Sequence, residues 1–139
     1  MVGGCRQNVT MPTLEDVRRI AAGLPGSEER AMTGGLAWFV RNRLYAWECY
    51  PWPSESKVLR ELIASEPVVG VKVADLDDHR ALLQGWPDAF RASEVSWGGP
   101  KVLFRLEKID PQLLVEVVSE AWRSQAPKYL RKQFDESLS

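Results

Sequence analysis

The sequence contains little cysteine and histidine. Its 139 residues include two cysteines, Cys5 and Cys49, and one histidine. The cysteines lie far apart and form no CxxC pair, so neither a disulfide framework nor a zinc quartet is indicated. No apolar run approaches the roughly 20 residues that a membrane span needs, and neither end resembles a targeting signal. We therefore predict a reduced, cytoplasmic protein with no membrane partner.

Catalytic signatures are also missing from the sequence. There is no G-x-S-x-G, no phosphate-binding loop, no G-x-G-x-x-G and no H-E-x-x-H. The segment Gly98-Gly99-Pro100-Lys101 lacks the spacing of a phosphate loop and is typical of a hairpin turn. We therefore predict a non-enzymatic protein without a cofactor or a metal.

The most metal-like cluster consists of three aspartates and the single histidine, Asp75, Asp77, Asp78 and His79. Carboxylates next to a histidine can ligate a divalent ion. Acidic residues at the start of a helix also cap free N–H groups and complement the helix dipole. We interpret the cluster as a helix start, with metal binding as the alternative.

An excess of charge of either sign is absent as well, because 18 basic residues stand against 19 acidic ones. The charges are nevertheless unevenly spread. Residues 30–47 contain three arginines and no acid, and residues 123–134 contain four basic residues and no acid. If folding brings these stretches together, they can follow a phosphate backbone. The predicted contacts are Arg41, Arg43, Lys101, Lys128, Arg131 and Lys132, and the alternative is a solvated surface that serves solubility.

Tryptophan, in contrast, is abundant, with six residues. Trp38, Trp47 and Trp122 lie on apolar patterns that predict burial. Trp52, Trp86 and Trp97 lie in or next to predicted turns. These three rings either cover the edge of the core or form an exposed patch for a small ligand or a protein partner.

Hydrophobic periodicity predicts a single domain over residues 13–134, with flexible tails at 1–12 and 135–139. Thr13 and Asp16 mark the start of a helix, and Asp110-Pro111 begins a second helix with a broad apolar stripe. The remaining predictions are helices at 57–64 and 75–83, a short basic helix after Pro127, a single turn at 87–90, and strands at 27–32, 36–40, 44–49, 68–73, 92–97 and 101–106.

Short turns join most of the predicted strands, and helices are interspersed among them. This order favours an α+β fold, a two-layer sandwich in which helices cover one face of an antiparallel sheet. Arg41-Asn42-Arg43 is expected to form the tip of the first hairpin, with Asn42 suited to a positive φ. The sequence leaves the oligomeric state open.

Several segments together resemble the MmcQ/YjbR family, over about residues 13–134. They are Leu24-Pro25, residues 39–48, Gly70-Val-Lys-Val-Ala-Asp75, Pro87-Asp-Ala-Phe90, residues 99–106, and Glu120-Ala-Trp122 followed by Ala126-Pro127. The resemblance implies a frataxin-like (CyaY-like) sandwich with a double-wing arrangement and a DNA-binding role. Many relatives have Gly in the first hairpin turn, where this chain has Asn42.

Overall fold

The computed structural model describes residues 12–93 and 99–138. Within these ranges the chain forms six strands and five helices. The strands are β1 Ser27–Met32, β2 Gly35–Val40, β3 Arg43–Glu48, β4 Val68–Lys72, β5 Phe90–Ala92 and β6 Lys101–Arg105. The helices are α1 Leu14–Ala22, α2 Lys57–Ser65, α3 Leu76–Gly85, α4 Pro111–Gln125 and α5 Lys128–Ser137.

The strands form one antiparallel sheet in the order β1-β2-β3-β4-β6-β5. The predicted α+β sandwich with an antiparallel sheet is confirmed. Strands β4 and β6 pair across a long separation in sequence, with Gly70 opposite Leu103 and Lys72 opposite Lys101. A bulge between β2 and β3 at Trp38/Phe39 adds Tyr45 to the buried side of the sheet. None of the helices in the described ranges is long and apolar enough to cross a bilayer.

The helices begin at the residues that the sequence indicated. The backbone N–H of Thr13 donates to Asp16 Oδ2 at 2.8 Å, which closes the capping box of α1. Asp110 Oδ2 accepts from the N–H of Gln112 at 2.9 Å at the start of α4. Because Pro111 has no N–H and fixes a helical φ, it adds to the same start signal.

The main core lies between one face of the sheet and helices α1 and α4, with apolar side chains of α3 and α5 at its margin. Trp38 and Trp122 are fully buried there, as predicted. Each indole N–H has a partner, since Trp38 donates to Glu29 Oε1 at 3.0 Å and Trp122 donates to the carbonyl of Pro25 at 2.9 Å. These bonds offset the cost of burying two polar N–H groups.

A second, smaller cluster occupies the opposite face. Leu59 and Ile63 of α2 pack against Val68 and Leu103, with Trp47 half-buried beside them. Successive strand residues point to opposite faces, so these side chains lie behind the sheet. The expectation that helices cover one face therefore holds for the main core, and α2 is the exception.

Gly70 makes the position of Trp47 possible. A Cβ atom at residue 70 would lie 2.3 Å from Cε2 of the Trp47 ring. The indole therefore rests directly on the backbone of β4, where any larger residue would displace it.

Three sequence-based boundaries need correction. Phe90, expected in a turn, begins β5 because its ring is buried 6.0 Å from that of Phe104, and the two residues are paired across the strands. Helix α5 continues to Ser137, so residues 135–137 belong to the domain rather than to a tail. Pro12, assigned to the N-terminal tail, is buried. The rest of that tail, and residues 94–97 of the expected strand, lie outside the described residues.

Candidate nucleic-acid interface

The hairpin formed by β2 and β3, predicted from the sequence as the first hairpin, ends in a two-residue turn with basic side chains. Arg41 and Asn42 have φ values of 50° and 67°, the left-handed conformation that a type I′ turn requires at both central residues. Asn42 therefore takes the positive φ expected from the sequence. Arg41 and Arg43 are exposed on either side of it. The turn presents two guanidinium groups at the end of a rigid β-ribbon.

Arg30 reaches the same turn, although its charge is already engaged. Its Nη2 atom donates to Asn42 Oδ1 at 2.7 Å and to Glu28 Oε1 at 2.6 Å. Its guanidinium lies 4.2 Å from the ring centroid of Phe39. Arg30 thus stabilises the hairpin, while Arg41 and Arg43 remain exposed to solvent.

Helix α5 contributes the second group of basic residues. Leu130 is buried, and the Phe134 ring packs edge-on against Trp122 with centroids 5.1 Å apart. These two residues, four positions apart, define the inner side of the helix. Lys128 and Lys132 flank Leu130 at two positions on either side, which turns both outward, and both are exposed. Arg131 is half-buried beside them.

Leu130 of α5 and Val40, the last residue of β2, both lie next to Gly26. A Cβ atom at residue 26 would meet Leu130 Cδ1 at 2.9 Å and Val40 Cγ2 at 3.7 Å. Val40 directly precedes the tip, so Leu130 places α5 near the tip end of the hairpin. We call Arg41, Arg43, Lys128, Arg131 and Lys132 together the basic end.

In the described residues these five side chains form no salt bridge of their own. The pKa of the Asp135 carboxyl is lowered mainly by its hydrogen bond with Arg123, and the charge of Arg131 helps to lower it. In the described residues, carboxylates pair with Arg18, Arg19, Arg30, Lys57, Arg80, Arg105 and Arg123. Arg60 and Arg91 donate to backbone carbonyls, and Lys72 and Lys101 are buried. Within the described ranges, Lys108 is the one further basic residue without an ion pair or hydrogen bond. The unpaired positive charge is thus concentrated at the basic end.

Lys101 does not occupy the exposed position expected of a phosphate contact. It is 4% exposed, and its Nζ atom donates to the carbonyl of Gly99 at 3.1 Å. Burial lowers the pKa of its ammonium group, and the nearby Glu55 carboxylate acts in the opposite direction. The sequence could not reveal this burial, because it follows from the pairing of β6 with β4. The prediction of Lys101 as a surface contact is therefore corrected.

Lys72, which no sequence motif singles out, lies across from Lys101 in the register of β4 and β6. Burial lowers the pKa of Lys72, and the positive charges of Lys101 and Arg43 lower it further. Because Ala46 of β3 lies opposite Val71 of the antiparallel strand β4, Lys72 lies toward the end of β3 that begins at Arg43 and the hairpin tip. Lys72 and Lys101 therefore add to the positive potential around the basic end without reaching the surface.

The loop tryptophans do not form one patch. Trp52 is 44% exposed and stacks at a tilt on Tyr50, with ring centroids 4.5 Å apart. Trp86 is 46% exposed and lies beside Phe90. The two rings line different cavities, and Trp97 lies outside the described residues. The fold therefore does not place Trp52 and Trp86 on one ligand surface.

The aspartate cluster forms a helix start, as the sequence favoured. Asp75 Oδ1 accepts from the N–H of Asp78 at 2.9 Å and caps α3. Asp77 pairs with Arg80 at 3.2 Å. Among the described residues, no group of three His, Cys, Asp or Glu side chains is placed to hold a metal ion.

Cys49 has the properties of a structural thiol. It packs beside the small cluster behind the sheet, in a cavity shared with Trp47, Trp52 and Glu55. Burial raises the pKa of its thiol far above the usual range, and the carboxylates of Glu55 and Glu48 add to the effect. Because the thiolate is the reactive form, this shift disfavours reaction of Cys49 at neutral pH.

Comparison with known proteins yields relatives without an assigned function. No family model matches the chain. The chain resembles the solved structure of Deinococcus radiodurans protein DR2400, a DUF419 domain, with a TM-score of 0.63 and 19% identity over 88% of each chain. At that identity the likeness shows the shared fold alone.

Sequence similarity gives the family. The chain is 36% identical over 127 residues to the uncharacterized proteins Mb2600 of Mycobacterium bovis and Rv2570 of Mycobacterium tuberculosis. The match covers 89% of this chain and 96% of each relative. The chain therefore belongs to the family of these uncharacterized mycobacterial proteins.

Proposed function

We propose that this protein is a non-enzymatic DNA-binding domain whose contact surface is the basic end. The observation that supports the proposal most directly is that five basic side chains without a salt bridge come from two distant parts of the sequence and lie on adjoining elements. The resemblance to the MmcQ/YjbR family points to the same partner. We also propose membership of that family, the double-wing arrangement and a cytoplasmic location as the finer parts of this hypothesis.

The contacts have the chemistry of phosphate recognition. Arg41 and Arg43 extend from a tight turn whose backbone is already ordered. Binding therefore restricts mainly the two arginine side chains themselves. A guanidinium can contact two phosphate oxygens at once, and the lysines of α5 act as point charges. Contacts with phosphate carry no sequence information, and the proposed binding is therefore sequence-tolerant and driven by counterion release.

Salt dependence tests the proposal. Fluorescence anisotropy with a labelled random duplex should show an observed binding constant that falls steeply with salt. For four or five phosphate contacts we expect a log–log slope of about −4. A single-stranded DNA of the same length gives the comparison for strand preference. Binding that is absent at low salt, or insensitive to salt, would contradict the proposal.

A matched pair of variants separates the basic end from charge in general. Lys128→Gln combined with Lys132→Gln removes two unpaired charges from α5, and we expect the magnitude of the slope to fall by about two. Lys57→Gln combined with Lys108→Gln removes two lysine charges elsewhere on the surface, and the slope should not change. Equal losses in both double variants would mean that the net charge matters and the basic end does not.

A further inference from the structure

A groove runs between α3 and α4 on the helix-covered face of the sheet. Its volume is about 230 Å³. Ala81 and Leu82 of α3 form one side, Leu113 and Val117 of α4 form the other, and Val71 of β4 lies at the bottom. We call this cavity the α3–α4 groove. Its lining is mainly apolar, which suits an apolar occupant.

The groove exists because α3 does not pack tightly. None of its residues is fully buried, in contrast to α4, which buries six. Helix α3 makes its main contacts with β5. Leu82 is therefore only partly covered, and the Trp86 ring at the end of the helix is 46% exposed. An occupant between the helices would remove this apolar surface from water.

Carboxylates at the rim determine the charge of the occupant. Asp78, Glu116 and Glu120 line the groove. In the described residues, Asp78 and Glu116 form no ion pair, and Glu120 contacts Arg123 at 3.6 Å. Lys72 also borders the groove, but strand alternation turns its side chain to the other face of the sheet. Negative charge therefore dominates the mouth of an apolar cavity.

The size of the groove limits the occupant to a small molecule. A dry apolar cavity of about 150 Å³ holds a benzene molecule, so the α3–α4 groove accommodates a ring with a short arm. We propose that it binds a small amphiphilic cation, in which an apolar ring or branched alkyl group carries an ammonium or guanidinium group. The apolar part would lie against Leu82, Val117 and Trp86, and the cation would face Asp78 and Glu116.

Isothermal titration calorimetry with 2-phenylethylammonium tests the charge and the shape together. Phenylacetate carries a similar ring and the opposite charge, and serves as the control ligand. We expect the ammonium to bind at least about tenfold more tightly, because each rim carboxylate attracts the first and repels the second. No measurable binding of the ammonium, or equal binding of both ligands, would overturn the proposal.

Two pairs of variants locate the binding. Ala81→Leu fills the groove from an exposed helical position and should abolish binding. Ala64→Leu makes the same change on α2, behind the sheet, and should leave binding intact. The double variant Asp78→Asn with Glu116→Gln should weaken binding of the ammonium ligand by about tenfold. Glu61→Gln on α2 should leave that binding unchanged. Unchanged affinity in Ala81→Leu, with its thermal unfolding preserved, would place the ligand elsewhere and overturn the assignment.

Discussion

The basic end and the α3–α4 groove differ in both charge and support. The basic end carries five positive charges that form no salt bridge, on a tight hairpin and on a helix anchored by Leu130. The groove carries carboxylates and is bordered by a helix without a fully buried residue. A formal net charge of −1 is thus compatible with two local surfaces of opposite sign. Total charge is a poor guide to partners here, because folding separates the signs.

We expect the largest effect from removing the packing of Leu130, which holds α5 at the basic end. Leu130→Ala removes the side chain that anchors α5 against Val40 and Gly26, and should lower the free energy of unfolding by about 2–4 kcal/mol. No charge is removed, yet DNA affinity should fall at least about threefold, because the two basic groups lose their fixed relation. Urea unfolding and anisotropy titration measure the two effects.

Leu82→Ala is the counterpart on the other surface. It enlarges the α3–α4 groove and should weaken the ammonium ligand while leaving DNA binding unchanged. If Leu130→Ala leaves DNA affinity intact in protein that is still folded, the two basic groups act independently and the basic end is not a single surface.

The second prediction concerns Tyr45, a buried residue of β3. Burial raises the pKa of Tyr45 to about 12, although its hydrogen bond with Ser27 opposes the shift. An unfolded tyrosine ionises near pH 10. The contribution of protonated Tyr45 to the free energy of unfolding is therefore complete below about pH 10. As the pH rises toward 12, the free energy of unfolding falls by an amount on the order of 2 kcal/mol.

The variant Tyr45→Phe isolates the pH-dependent contribution of the Tyr45 hydroxyl to stability. Burial lowers the pKa of Lys72 and Lys101, and groups of that kind make the protein more stable as the pH rises through their unfolded pKa near 10.4. Because both proteins contain these lysines, their contribution cancels, and the difference between wild type and variant in urea unfolding at pH 9 and pH 11 reports on Tyr45 alone. An equal change with pH in both proteins would show that Tyr45 ionises freely.

The sequence predicted those features that depend on local signals. Thr13, Asp75 and Asp110 cap helices as expected, and the Arg41-Asn42 turn has the expected form. Four of the five residues of the basic end are exposed, which agrees with their place at a turn and on the polar side of a short helix.

The remaining features depend on contacts between distant segments. Lys101 is buried because β6 pairs with β4, and Trp47 turns to the rear face because Gly70 leaves room for it. The α3–α4 groove has no local signal, since its two walls are separate helices. Only the three-dimensional arrangement shows that α3 stops short of α4.

The smallest effect concerns how loosely α3 is held. Asp75→Ala removes the cap of α3 and should cost about 1 kcal/mol, mostly as local opening, because α3 buries no residue completely. Asp110→Ala removes the same chemical cap from α4, whose six buried residues belong to the main core. Hydrogen exchange should therefore accelerate within α3 alone in the first variant, and throughout the core in the second.

In Asp75→Ala the ammonium ligand should bind more weakly and DNA equally well. If Asp75→Ala lowered the global unfolding temperature as much as Asp110→Ala does, α3 would be part of the cooperative core, and the contrast between a firmly supported basic end and a loosely bordered groove would fail.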